Sequence, residues 1–320
     1  MRSERRHSVL NTARLSLVAA VLTVTVVACA SVRSEPFKAF ADSNREVRQG
    51  ADQSIVFVHQ WAGERFAAEA ASGDEDKIFA LLLEQEPGNP YGWKTSGPIL
   101  PLQVLQFRSA VGRLNDSLVG YSDSLVQLAS NETASQEKFD KLATDLNANT
   151  RSAVAAMKVK EINDKEVAIF SVGATEAFHQ YIEHKRRAKL RDALQKNQDN
   201  ITQVSTFARE ATAILAFALR QEYNLRSADL ARGLTPGAKL PAAERQKTVA
   251  ALLALNEDYV RRLEILATLD RSYATLPAAH AQLSEAIESP NSALGQIQSL
   301  YDQGQRLQRL YQELAKPNTN

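Results

Sequence analysis

The chain has 320 residues, 44% of them hydrophobic and 23% charged, with a formal net charge of +1. That is the composition of a globular protein long enough to bury a core without staples, and it excludes collagen-like and low-complexity classes. A single cysteine excludes a disulfide framework, and the near-neutral balance gives no electrostatic draw toward nucleic acid or anionic lipid.

The first element is an export segment. Arg2, Arg5 and Arg6 precede an uncharged apolar run, Leu15 to Ala28, in the order of a secretory signal peptide. As a helix those 14 residues span about 21 Å, short of a hydrocarbon core of about 30 Å, which speaks against an uncleaved anchor. Val26-Val27-Ala28-Cys29 then resembles the lipobox of bacterial lipoprotein precursors. In that class a small residue precedes a cysteine that receives diacylglycerol and becomes the new N-terminus. The resemblance covers residues 1–28 as signal peptide, with Cys29 as the lipidation site, and 29–40 as a lipidated tether. Ala30 is not the aspartate that favours inner-membrane retention in the class, so the resemblance implies the outer membrane, facing the periplasm. Loss of the leader leaves 34 basic and 36 acidic residues, a net of −2.

Residues 41–320 read as one helical domain. Val47, Ile55, Val58, Trp61 and Phe66 mark a helix from Ala41 to Ser72, with Gly50 and Gly63 as weak points. Phe37 and Phe40 fit the start of helix packing better than a lipid contact. Residues 87–101 hold four prolines and three glycines, the sharpest break in the chain. That loop also carries Tyr91 and Trp93, candidates for a partner contact or for a cap on one end of a bundle.

From Leu102 the pattern is a seam. Val104, Phe107, Val111, Leu114, Leu118, Tyr121, Leu125 and Leu128 recur at intervals of three and four, one stripe of a helix. Phe139, Leu142, Leu146, Asn149, Ala153 and Ala156 repeat the spacing. A further helix opens at Asn163-Asp164 and is expected to end in a basic tail at Lys185, Arg187 and Arg191. Such a tail suits a helix C-terminus and could also meet phosphate head groups or an acidic partner. Asp199-Asn200, with Gln203, reads as a new N-cap. Ile201, Val204, Ala208, Ala211, Leu215 and Ala218 follow as a stripe that Phe207, Ile214 and Phe217 widen.

Residues 233–241 form the second internal break. Beyond it Val249, Leu252, Asn256, Tyr259, Leu263, Leu266, Asp270 and Tyr273 form a stripe with two polar members. Pro277 and Ser289-Pro290 each read as a helix start, a position that proline tolerates. Leu294, Ile297, Tyr301, Gly304, Leu307, Tyr311 and Leu314 mark the last inner face. The expected fold is all-α, an elongated antiparallel bundle of long amphipathic helices.

A search for chemistry returns exclusions. There is no nucleophile elbow, phosphate-cradling loop, zinc-protease motif or dinucleotide fingerprint. Glu176 and His179 form one Glu-x-x-His pair, but a di-iron bundle needs two such pairs and two more glutamates. No metal, cofactor or catalytic residue is assigned. Tyr121, Tyr181, Tyr259, Tyr273 and Tyr301 sit on or beside seams, where core packing with hydrogen bonds to seam asparagines and aspartates is the plainer role. The resulting expectation is a lipid-anchored, non-enzymatic envelope protein acting through protein–protein contact: an adaptor, assembly factor or immunity-type protein. A bundle that holds a small apolar ligand is the second reading. Replacing Cys29 by serine should abolish incorporation of radiolabelled palmitate and shift the protein out of the membrane fraction. Unchanged processing and sedimentation would refute the lipid anchor.

Overall fold

In a computed structural model of the protein, the described residues are 32–71, 101–130, 183–235, 240–289 and 294–315. They form five helices and no strand: α1, Glu35–Ala71; α2, Pro101–Ala129; α3, Glu183–Arg232; α4, Ala242–Glu288; and α5, Gly295–Ala315. The protein is all-α, and the helices pack as a bundle in which α1 touches each of the other four. At 50 residues, α3 is about 75 Å long.

Side-chain pairs fix the directions. Arg45 meets Asp123 while Asp52 meets Arg108, so α1 and α2 are antiparallel. Arg191 with Glu288, Arg209 with Asp270, and Tyr223 with Asn256 set α3 against α4 in the same sense. Arg306 with Glu264 and Gln282 with Gln296 do so for α4 and α5. Thus α1, α3 and α5 run one way, and α2 and α4 the other.

The expected stripes form the core. All eight positions of the α2 seam are buried, as are the six small and branched residues of the α3 stripe. Phe37 and Phe40 are buried too, because α1 begins at Glu35, inside the segment read as tether. Gly50 does not interrupt α1. It lets α5 approach, with Leu307 against its Cα and the Tyr311 hydroxyl donating to its carbonyl at 2.7 Å. Gly304 does the same from the opposite helix, since a Cβ there would lie 2.9 Å from that of Glu46. Many buried hydroxyls, such as Ser54, Ser122 and Thr212, donate to the carbonyl four residues back and so stay paired inside an apolar bundle.

Three local expectations are corrected. Asn200 caps nothing: α3 runs unbroken through it, and its Nδ2 donates at 3.2 Å to Asn197 one turn earlier. The basic run from Lys185 to Arg191 therefore lies within α3 rather than at the end of a preceding helix, and the favourable C-terminal dipole invoked for it does not apply. Pro277 starts nothing either, because α4 passes straight through it. A proline there deletes the amide that should bond the carbonyl of Tyr273, four residues back. The structure supplies a substitute: Ser205 Oγ of α3 donates to that carbonyl at 2.7 Å. The carbonyl of Pro277 itself accepts Gln198 Nε2 at 3.0 Å. Propensity favoured a break at Pro277; a hydroxyl on the neighbouring helix and burial on both sides outweigh it.

Ser205→Ala should orphan a buried carbonyl and cost about 1–3 kcal/mol of unfolding free energy. In a Pro277→Ala background, where the amide returns, the same substitution should cost under about 1 kcal/mol. Urea unfolding of the four proteins tests the coupling, and equal losses in both backgrounds would refute it.

Candidate functional site

Tyr91 and Trp93, like Cys29, Tyr181, Glu176 and His179, lie outside the described residues. Lys185 falls on the first turn of α3, where its side chain is outside them as well. Arg187 is half-buried, and Arg191 pairs with Glu288 of α4 at 3.1 Å. That contact ties Arg191 to α4 instead of leaving it a free cation.

The chemistry-bearing side chains of the interior form a closed column. Tyr121 of α2 donates to Nε2 of His280 at 2.9 Å, and Nδ1 of that ring faces Gln198 Oε1 at 2.8 Å. Because Gln198 Nε2 is already committed to the carbonyl of Pro277, the network assigns the His280 proton to Nδ1. About two turns along, the Tyr273 hydroxyl donates to Asn115 Oδ1 at 2.9 Å, and Asn115 Nδ2 donates to the Val111 carbonyl. Asn44 of α1 donates to Ser122 Oγ at 2.7 Å. Burial pushes the Tyr121 and Tyr273 hydroxyls well above the ordinary tyrosine range and lowers His280 to about 3. A neutral ring with both nitrogens used and no solvent path is a structural connector, not a general base. No group of three or more histidine, cysteine or carboxylate side chains among the described residues could hold a metal ion.

Tyr259, another tyrosine found by its seam spacing, is likewise packed. Tyr223 stacks on Tyr259 with ring centroids 4.1 Å apart, and its hydroxyl bonds Asn256, one of the two polar members of the α4 stripe. The other, Asp270, pairs with Arg209 at 2.9 Å. Both face α3.

Farther along, Arg65 of α1 lies flat against Glu222 of α3, its Nε 3.0 Å from both carboxylate oxygens, with side-chain exposures of 6% and 1%. Trp61 beside it is covered by two guanidinium groups, Arg226 at 4.7 Å and Arg262 at 4.9 Å from the ring centroid. Arg226 also donates to the Trp61 carbonyl and to Glu64. A buried ion pair adds little net stability, but it fixes register, since either charge left alone would be costly.

One surface went unread in the sequence. Val249, Leu253 and Val260 of α4 are 43%, 61% and 54% exposed. They fall within about 40° of one another on the helix, and Arg262, which reaches back to Phe57 and Trp61 of α1, lies about 140–180° away. The three therefore face outward from the bundle. Val249, a member of the α4 stripe by its spacing, and Phe217, which widens the α3 stripe, are both exposed, Phe217 at 41%. The adjacent pair Leu252-Leu253 carried the signal, because neighbours 100° apart cannot both face α3. None of the residues from Ala242 to Glu264 is fully buried.

No protein-family model, curated protein or solved structure matches the chain. Among the described residues no helix is long and apolar enough to cross a membrane.

The buried His280 makes stability depend on pH. Its folded value near 3 lies below an unfolded value of about 6.5, so between these the unfolded chain binds a proton that the folded one refuses. Stability is full above about pH 6.5 and falls as pH drops through that window, by about 1 kcal/mol per unit from this group. His280→Gln should flatten that part of the curve in urea melts taken between pH 7 and 4. An unchanged slope would show that the ring is not held neutral.

Proposed function

We propose that the chain is a lipid-anchored, non-enzymatic envelope protein that works by binding another protein through the outward side of the α3–α4 hairpin. The observation that carries this reading is the apolar stripe of Val249, Leu253 and Val260 on a helix whose opposite side is already satisfied by α1 and α3. Water-facing branched residues at helical spacing offer no benefit to an isolated bundle, and such a stripe is the usual anchor for a partner helix or surface. The lipobox-like tetrapeptide ending at Cys29 supports the anchor and the outer-membrane location. A polar column with every member hydrogen-bonded supports a scaffold role rather than chemistry at the bundle centre.

The second reading, a small apolar ligand held between helices, needs a lined cavity. The seam tyrosines would have built it, yet Tyr121, Tyr259 and Tyr273 are packed or bonded to neighbouring helices. The partner reading is therefore the better supported.

A photo-crosslinking side chain placed at Leu253 should give a discrete higher-mass adduct in intact envelopes, whereas one at exposed Thr206 of α3 should not. Leu253→Glu should change unfolding free energy by less than about 0.5 kcal/mol, as for other surface sites, while weakening adducts formed from a crosslinker at Val260. Absence of an adduct at Leu253, or the same adducts from both positions, would refute the interface.

A further inference from the structure

A groove of about 500 Å³ runs between α1 and α5 on another side of the bundle. Its walls carry an unusual set of groups. Gln49, Gln53 and Gln60 of α1 fall on one helix face, and Gln308 and Gln312 of α5 face them across the groove. None of the five makes a hydrogen bond to another described residue. Val56, Phe57 and Leu314 supply apolar surface between them.

The two ends differ in charge. At one end lies Glu46, whose carboxyl makes no ion pair or hydrogen bond with a described residue; partial burial, and then Asp42 beside it, raises its pKa. At the other end lies Arg262, clamped flat over Phe57 and Trp61 at 4.8 and 4.9 Å. Asp258 takes the Nε hydrogen at 2.8 Å, and the terminal amino groups have no hydrogen-bond partner among the described residues. A guanidinium held this way is preorganised to receive a carboxylate. Arg262 lies level with residues 57–61 of α1, so the two charges stand about 20 Å apart along the helix axis. An extended peptide covers that distance in about six residues.

We infer that this groove is a binding site for a short extended peptide with free ends, its ammonium at Glu46, its C-terminal carboxylate at Arg262, and its backbone amides against the five glutamines. A carboxamide both donates and accepts, which suits a peptide backbone presenting N–H and C=O in alternation. Glu46 with Asp42 near it at one end, and at the other the Arg262 guanidinium, whose Nε side is ion-paired with Asp258 and whose amino groups are open, set polarity and length. A saccharide would leave both charges unused, and a nucleotide would meet one arginine and one repelling carboxylate. The site is separate from the hairpin stripe, and neither depends on the other.

The test uses the full-length chain in mild detergent and radiolabelled (Gly-Ala)3, a peptide with no side-chain recognition, in equilibrium dialysis. Saturable binding is expected, weakened on the order of ten-fold by N-acetylation and again by C-amidation. Glu46→Gln should erase the penalty for acetylation alone, and Arg262→Gln the penalty for amidation alone. Arg262 also packs on two aromatic rings, so a helical melt accompanies that variant; if it unfolds, the acetylation arm with Glu46→Gln decides. No saturable binding, indifference to the blocked ends, or penalties that survive in the variants would overturn the site. None of these results would alter the crosslinking at Leu253.

Discussion

Phe37, Phe40, Val47, Ile55, Val58 and Trp61 all leave water along a single helix, and that helix is the one touched by every other. Their burial sets the geometry of the bundle. Each of α2 to α5 is amphipathic and finds its apolar partner either on α1 or on a neighbour that α1 already holds. Small residues tune the distances: Gly50 and Gly304 admit α5 close enough for Tyr311 to bond the α1 backbone. Removing the α1 core residues would leave α2 to α5 joined pairwise but without the one helix that all four touch.

A bundle of this length must also hide polar groups, and it does so by pairing nearly all of them. The column from Tyr121 through His280 and Gln198 to the Pro277 carbonyl links α2, α4 and α3 across the interior. Ser205 closes the gap that Pro277 opens in α4. These bonds are directional where hydrophobic burial is not, so they select one register among many that the three-four pattern would tolerate. Arg65 with Glu222 acts the same way nearer the C-terminal end of α1.

The surface carries the features suited to partners. Its two sides differ in character: three branched aliphatic residues on the outside of the hairpin, and five amides between opposite charges in the α1–α5 groove. The first would take a surface that is itself apolar, the second a polar chain read by its ends. The proposed lipid tether would make such sites more effective, because confinement to a membrane raises the effective concentration of any partner in the same layer.

Helix identity and most of the core were written in the sequence, since burying one face of a long helix demands apolar residues every three or four positions. The α2 seam and the α3 stripe could be read that way residue by residue; on α5 the spacing found Ile297 and Leu307 but missed buried Leu300, and Leu294, Tyr301, Tyr311 and Leu314 are only half-buried. Asparagine and aspartate were the expected hydrogen-bond partners of the seam tyrosines; Tyr273 takes Asn115, but Tyr121 takes His280, which spacing did not point to. Where helices end was not legible: Asn200 and Pro277 carry the local chemistry of caps and starts, yet Asn200 is spent on Asn197 within its own helix, and a hydroxyl from the neighbouring helix serves the carbonyl that Pro277 leaves open. The outer stripe and the groove were also decided by the tertiary structure. A valine at helical spacing looks the same facing a core or facing water. Five glutamines spread over two helices 250 residues apart become a site only when glycines at 50 and 304 bring those helices together.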